Sequence, residues 1–133
     1  MKYKVLKWLS KSDDNFKEQI LLPINILTKF ILKVDKISIG TLSFKDGFWY
    51  YNYTFEFKNH SDEYNRIIGF PDLNKTYQSE ILWPFFQVRI PGLKQPAIKE
   101  ILIKENIDKS NEVALLQRFG RKTIANPYEL VMA

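Results

Sequence analysis

The only histidine of the chain, His60, directly precedes Ser61 and Asp62, and these are the three residue types of a nucleophilic triad. A triad needs its base held between a nucleophile and an orienting acid, through side chains that converge in space. Three neighbours in one polar loop do not favour that geometry, and His60 reads as a solvated loop histidine. Two carboxylate pairs, Asp13-Asp14 and Asp62-Glu63, are the candidates for acid/base work. Both fall in turn-like stretches where Asp serves as a cap or turn former, whereas acid/base catalysis wants two carboxylates in contrasting environments inside a cleft. One histidine and no cysteine leave a zinc site short of its usual ligands. The five glycines, at 40, 47, 69, 92 and 120, form neither a G-x-G-x-x-G nor a P-loop pattern that would cradle a nucleotide. The sequence therefore predicts no enzyme, no metal and no cofactor.

Composition narrows the class further. With 133 residues, 45% of them hydrophobic and 26% charged, the usage is globular and long enough to bury a core in one domain. Ten Phe, seven Tyr and three Trp supply large buried areas, so no disulfide staple is needed, and without cysteine none can form. A cysteine-free chain whose charged start carries no readable signal peptide is expected in the cytoplasm. The most apolar stretch, residues 20–34, is interrupted by Pro23, Asn25, Lys29 and Lys33 and is not expected to span a bilayer. The net charge of +5 is spread over scattered lysines, so a solvated surface is favoured over specific nucleic-acid binding. A basic nucleic-acid-binding module using exposed aromatics stays an alternative.

The elements that must position any functional side chain are those of an α+β fold: a small antiparallel β-meander followed by three short helices. Residues 1–29 form a lead-in extension, with a candidate strand at 4–9 and an apolar run before Pro23. Residues 30–34, 37–44 and 48–57 read as the three strands, separated by Asp35-Lys36 and by the hairpin signal Asp46-Gly47. Gly40 sits where a bulge would bend the second strand. Residues 59–75 read as a surface loop with one extended segment. A first helix is expected up to Arg89, capped by Ser79 and Glu80, with Pro84 tolerated only in its first turn. Pro96 opens a second helix, closed at residues 106–108. Ser110 is the expected cap of a third, which Gly120 stops as a C′ glycine. Residues 123–125 and 128–132 are short extended candidates. One domain over 1–133 accounts for the whole pattern.

The densest stretch is Leu82-Trp83-Pro84-Phe85-Phe86-Gln87-Val88-Arg89-Ile90-Pro91, more apolar than one helical face can bury. Phe85, Phe86 and Val88 are expected to join helix to sheet. Trp83, beside Pro84 in the first turn, is placed at the rim of the domain, and Arg89 and Lys94 flank the Pro91-Gly92 turn, where chains run at the surface. With Arg121 nearby, these residues form the expected partner-binding set: an aromatic anchor with a basic rim, suited to an acidic protein surface.

The order Gly40-Thr41-Leu42, an aromatic strand at 48–53, Gly69-Phe70-Pro71, the segment 83–91 and Leu115-Leu116-Gln117-Arg118-Phe119-Gly120-Arg121 resembles the small N-terminal subdomain of HipA-type toxin kinases. The resemblance runs from about residue 30 to 128 and does not reach the kinase core. It implies a stand-alone, HipS-like antitoxin that binds and neutralises a separate HipA/HipT-like serine/threonine kinase, with a helix-turn-helix DNA-binding protein as a further component. A non-catalytic subunit that completes a split kinase is the alternative the resemblance leaves open.

Overall fold

Two tight turns organise the sheet. In the computed structural model, which describes residues 27–133, β1 (Thr28–Val34) turns at Asp35, φ 56°, into β2 (Ile37–Lys45). That strand turns at Asp46 (φ 53°) and Gly47 (φ 85°) into β3 (Phe48–Tyr53). Positive φ at both central residues of the second turn gives the twist that matches a right-handed hairpin, which Asp-Gly tolerates. The meander is therefore present as expected. The register between β1 and β2 slips once: Leu32 faces Gly40 and Lys33 faces Ser38, so Ile39 is an extra residue beside Gly40. The bulge keeps Ile39 and Leu42 both inside, although they lie three apart.

Two further strands widen the meander into a five-stranded antiparallel sheet of order β4-β3-β2-β1-β5. The edge strand β4 (Tyr77–Ser79) pairs with β3, and β5 (Glu129–Met132) pairs with β1 on the opposite side. Among the described residues four short helices accompany the sheet: α1 (Phe55–Asn59), α2 (Pro84–Gln87), α3 (Pro96–Lys104) and α4 (Glu112–Phe119).

The expected boundaries differ from the observed ones for local reasons. The third strand ends at Tyr53 instead of 57, because Thr54 caps α1. Its hydroxyl accepts from the Phe57 amide at 3.0 Å and donates to the Ser38 carbonyl at 2.5 Å. The first of the three expected helices shrinks to four residues. Ser79 belongs to β4, and Pro84 forces Trp83 into an extended conformation (ψ 149°), so Trp83 itself is the N-cap. The cap of α4 is Asn111, whose side chain accepts from the Ala114 amide, while Ser110 binds back to Asp108. Gly120 ends α4 without a left-handed turn. It is glycine because a Cβ there would meet the Leu116 carbonyl oxygen at 2.6 Å. The candidate strand at 4–9 and the lead-in before Pro23 lie outside the described residues.

One face of the sheet carries the core. Along β3 the alternation places Trp49, Tyr51 and Tyr53 inward, joined by Phe30 and Leu32 from β1 and Leu130 from β5. Phe57, Phe70, Leu82, Phe86 and Leu116 cover them from the helices, the long loop and the stretch between β4 and α2. Each fully buried side chain of this size contributes about 1.5–3 kcal/mol of apolar transfer. The loop at 60–76 is fastened by Tyr53, whose hydroxyl donates to the Phe70 carbonyl (2.6 Å) and accepts from the Ile67 amide (2.9 Å).

Candidate partner-binding surface

The segment after β4 is built around Phe86, fully buried and surrounded by Tyr51, Phe70 and Phe85. Phe85 is half-buried and lies edge-on to Tyr128, so both phenylalanines join helix to sheet as expected. Val88 does not, being 53% exposed. Trp83 stands at the rim, half-buried, with its ring edge-to-face on Phe70 at 5.1 Å. It serves the core with one part of the indole and leaves the rest at the surface, held in place by the extended backbone before Pro84.

Arg89 is not an outward anchor. It is 3% exposed and turns inward toward the α4–β5 connection. Its Nη1 donates to the carbonyls of Gly120 (3.0 Å) and Arg121 (3.2 Å), and its Nη2 to the Tyr128 carbonyl (2.7 Å) and Asn126 Oδ1 (3.2 Å). Burial pushes the guanidinium down to about 10, still well above neutrality, so it is a buried cation satisfied by carbonyl oxygens. Its role is to pin the loop between α4 and β5. The Pro91-Gly92 turn is at the surface, but the side chain two residues before it is not. The pinned loop closes with a bridge between Thr123 and Asn126 and presents Ile124 fully to solvent.

Lys94 and Arg121 are exposed, as their surroundings predict. Arg121 donates to Glu129 Oε2 at 2.5 Å and holds that carboxyl below the usual carboxylate range. Lys94 lines a groove of about 780 Å³ along α3, with Leu93, Lys99, Leu102, Ile103, Asn106, Ile107 and Lys109. Thus the structure ties Arg89 to the backbone of Arg121, whereas Trp83 and Lys94 belong to separate neighbourhoods. His60 makes a surface contact with Glu63, Nδ1 to Oε1 3.2 Å, and engages neither Ser61 nor Asp62. Among the described residues no three His, Cys, Asp or Glu side chains gather where a metal could be held, and no helix is long and apolar enough to cross a membrane.

Residues 31–125 match the family described as HipA N-terminal domain. The chain belongs to that family. The matched span takes in β1 from its fourth residue, the rest of the meander and helices α1 to α4, leaving β5 beyond it. No curated protein and no solved structure matches the chain. Within this HipA N-terminal domain, the α3 groove went unnoticed in the sequence. Its signal was available: Ile98, Ile101 and Leu102 share the inner face of α3, so Ile103 must point away from it, and it is 81% exposed.

Proposed function

We propose that this HipA N-terminal domain is a HipS-like antitoxin, a non-catalytic cytoplasmic protein that binds and neutralises a HipA/HipT-like serine/threonine kinase, acting as one domain with residues 1–29 as its lead-in. The observation that carries the reading is the family match across the segment that builds α2, α3 and α4. A kinase must order several parts around its nucleotide, and a docked domain inhibits by holding one of them out of place. The docking surface is assigned to Trp83 as a half-exposed, rigidly held aromatic, with Lys94 and Arg121 as exposed cations. Trp and Arg are the residue types that most often anchor interfaces, and exposed cations speed encounter with an acidic surface. Arg89 contributes by fixing the backbone from which Arg121 projects.

The test is co-expression with a HipA/HipT-like kinase, alone and with a helix-turn-helix partner, scoring growth and co-purification. The expected result is restored growth, lost in Trp83→Ala and in a Lys94→Ala, Arg121→Ala pair that fold normally by circular dichroism. Growth arrest that appears only when both chains are present would instead make the domain a subunit that completes the kinase. Absence of any complex would overturn both readings.

A further inference from the structure

The groove along α3 is built by a helix ending that fixes its own floor. After Lys104 the chain reverses through Asn106, at φ 55°, with the Ile107 amide donating to the Leu102 carbonyl (2.9 Å) and the Asn106 amide to Ile103 (3.2 Å). This is the Schellman arrangement, which sets Ile107 against Leu102. Both side chains line the groove, and Ile103 stands exposed on its wall. Three cations, Lys94, Lys99 and Lys109, flank this apolar strip, and the carboxylate of Glu100 lies outside it, in the adjoining hollow that Lys94, Lys99 and Ile103 also line. Among the described residues, none of the three lysines takes part in an ion pair. An apolar floor flanked by three ammonium groups is complementary to an aliphatic side chain flanked by carboxylates.

We propose that this groove is a separate docking site for an acidic segment of a protein partner, one that carries a single bulky aliphatic side chain between aspartates and glutamates. The aliphatic group sits on Leu102, Ile103 and Ile107, and the carboxylates meet the lysine rim. Nucleic acid fits the site less well. Phosphates would satisfy the lysines, but single-stranded bases need aromatic faces to stack on, and no aromatic side chain lines the groove. The site shares Lys94 with the surface assigned to the kinase but stands without that reading, since its chemistry is complete within α3 and its flanks.

The experiment uses the full chain and four synthetic probes: an acidic peptide with one central leucine, its twin with serine for leucine, its twin with the carboxylates as amides, and a single-stranded oligonucleotide. Amide shifts are followed by NMR and affinities by fluorescence anisotropy. The leucine-acid peptide is expected to shift Leu102, Ile103 and Ile107, with both twins weaker by about tenfold or more, a loss of about 1.4 kcal/mol each. Ile103→Ser, at a solvent-exposed position, and a paired Lys99→Glu, Lys109→Glu variant are expected to lose the same affinity while staying folded. Equal binding by the twins, undiminished binding by folded Ile103→Ser, or displacement of the peptide by the oligonucleotide would overturn the assignment. Growth rescue by Ile103→Ser in the kinase assay distinguishes this site from the Trp83 surface, because either can fail while the other holds.

Discussion

Replacing Arg89 by methionine tests whether a buried cation is what holds the α4–β5 connection in place. The substitution keeps most of the side chain's volume and removes four donated hydrogen bonds. The Gly120 carbonyl bond is buried, and orphaning that acceptor costs about 1–3 kcal/mol. The other three acceptors are part-buried, so water recovers much of their loss and each adds only about 0.5 kcal/mol. Against this, methionine removes a charge whose burial is itself unfavourable, together with a buried Nε that has no partner. The net expectation is destabilisation by about 2–3 kcal/mol, or a fall in melting temperature of about 7–11 °C for a domain of this size. Circular dichroism melts measure the total, and amide hydrogen exchange at residues 121–128 tests the location. Arg89→Lys should fall between wild type and Met, since an ammonium reaches only some of the four oxygens. A methionine variant melting within about 2 °C of wild type, with unchanged exchange at 121–128, would refute the pinning role.

Phe86→Ala should cost about 3–5 kcal/mol, because the ring is fully buried among three others; urea denaturation measures it. Gly40→Ala should cost about 1–3 kcal/mol, since a Cβ there would collide with the Tyr51 ring, itself wedged against Phe70 and Phe86. Tyr51→Phe should leave stability unchanged or raise it by about 1 kcal/mol, because the phenol oxygen is buried without a partner; a clear loss would reveal a hidden acceptor. Alkaline pH should unfold the protein. Burial pushes the Tyr53 hydroxyl up to about 12 and that of Tyr51 higher, so above pH 10 the folded state holds protons that the unfolded state gives up. This stability is complete below pH 10 and is lost as pH rises through 12; Arg89, shifted the opposite way, offsets only part of it. Tyrosinate absorbance should show these two tyrosines titrating only together with loss of ellipticity.

The parts of the fold legible in the sequence are those that local chemistry decides. Asp46-Gly47 supplies the two positive φ angles of its hairpin, Gly40 marks the bulge, and Pro96 opens α3, as each residue type predicts. Where tertiary pairing decides, the same reasoning fails. Phe55 and Phe57 are strand formers that continue the aromatic run of β3, yet they form α1 because Thr54 caps it and Phe57 is needed in the core. Tyr77–Ser79 carries no strand pattern in three residues and becomes β4 only because β3 offers it an edge. Arg89 is the instructive case at the candidate site. Its neighbours Pro91 and Gly92 mark the surface correctly, but its acceptors lie 31 to 39 residues downstream, where no local pattern points.

The position of β5 has a kinetic consequence. β1 lies between β2 and β5, and Phe30 pairs with Met132, a partner about a hundred residues away along the chain. During synthesis the meander can close as soon as residue 53 is free, but one side of β1 then waits, with unpaired amides and carbonyls, until residues 129–132 follow. Long-range closure of this kind is slow, because the entropy of the intervening loop must be overcome first, and an open strand edge in the interval invites pairing with other chains. The last strand therefore acts as the latch of the sheet, and removing it should show first as aggregation of newly made protein.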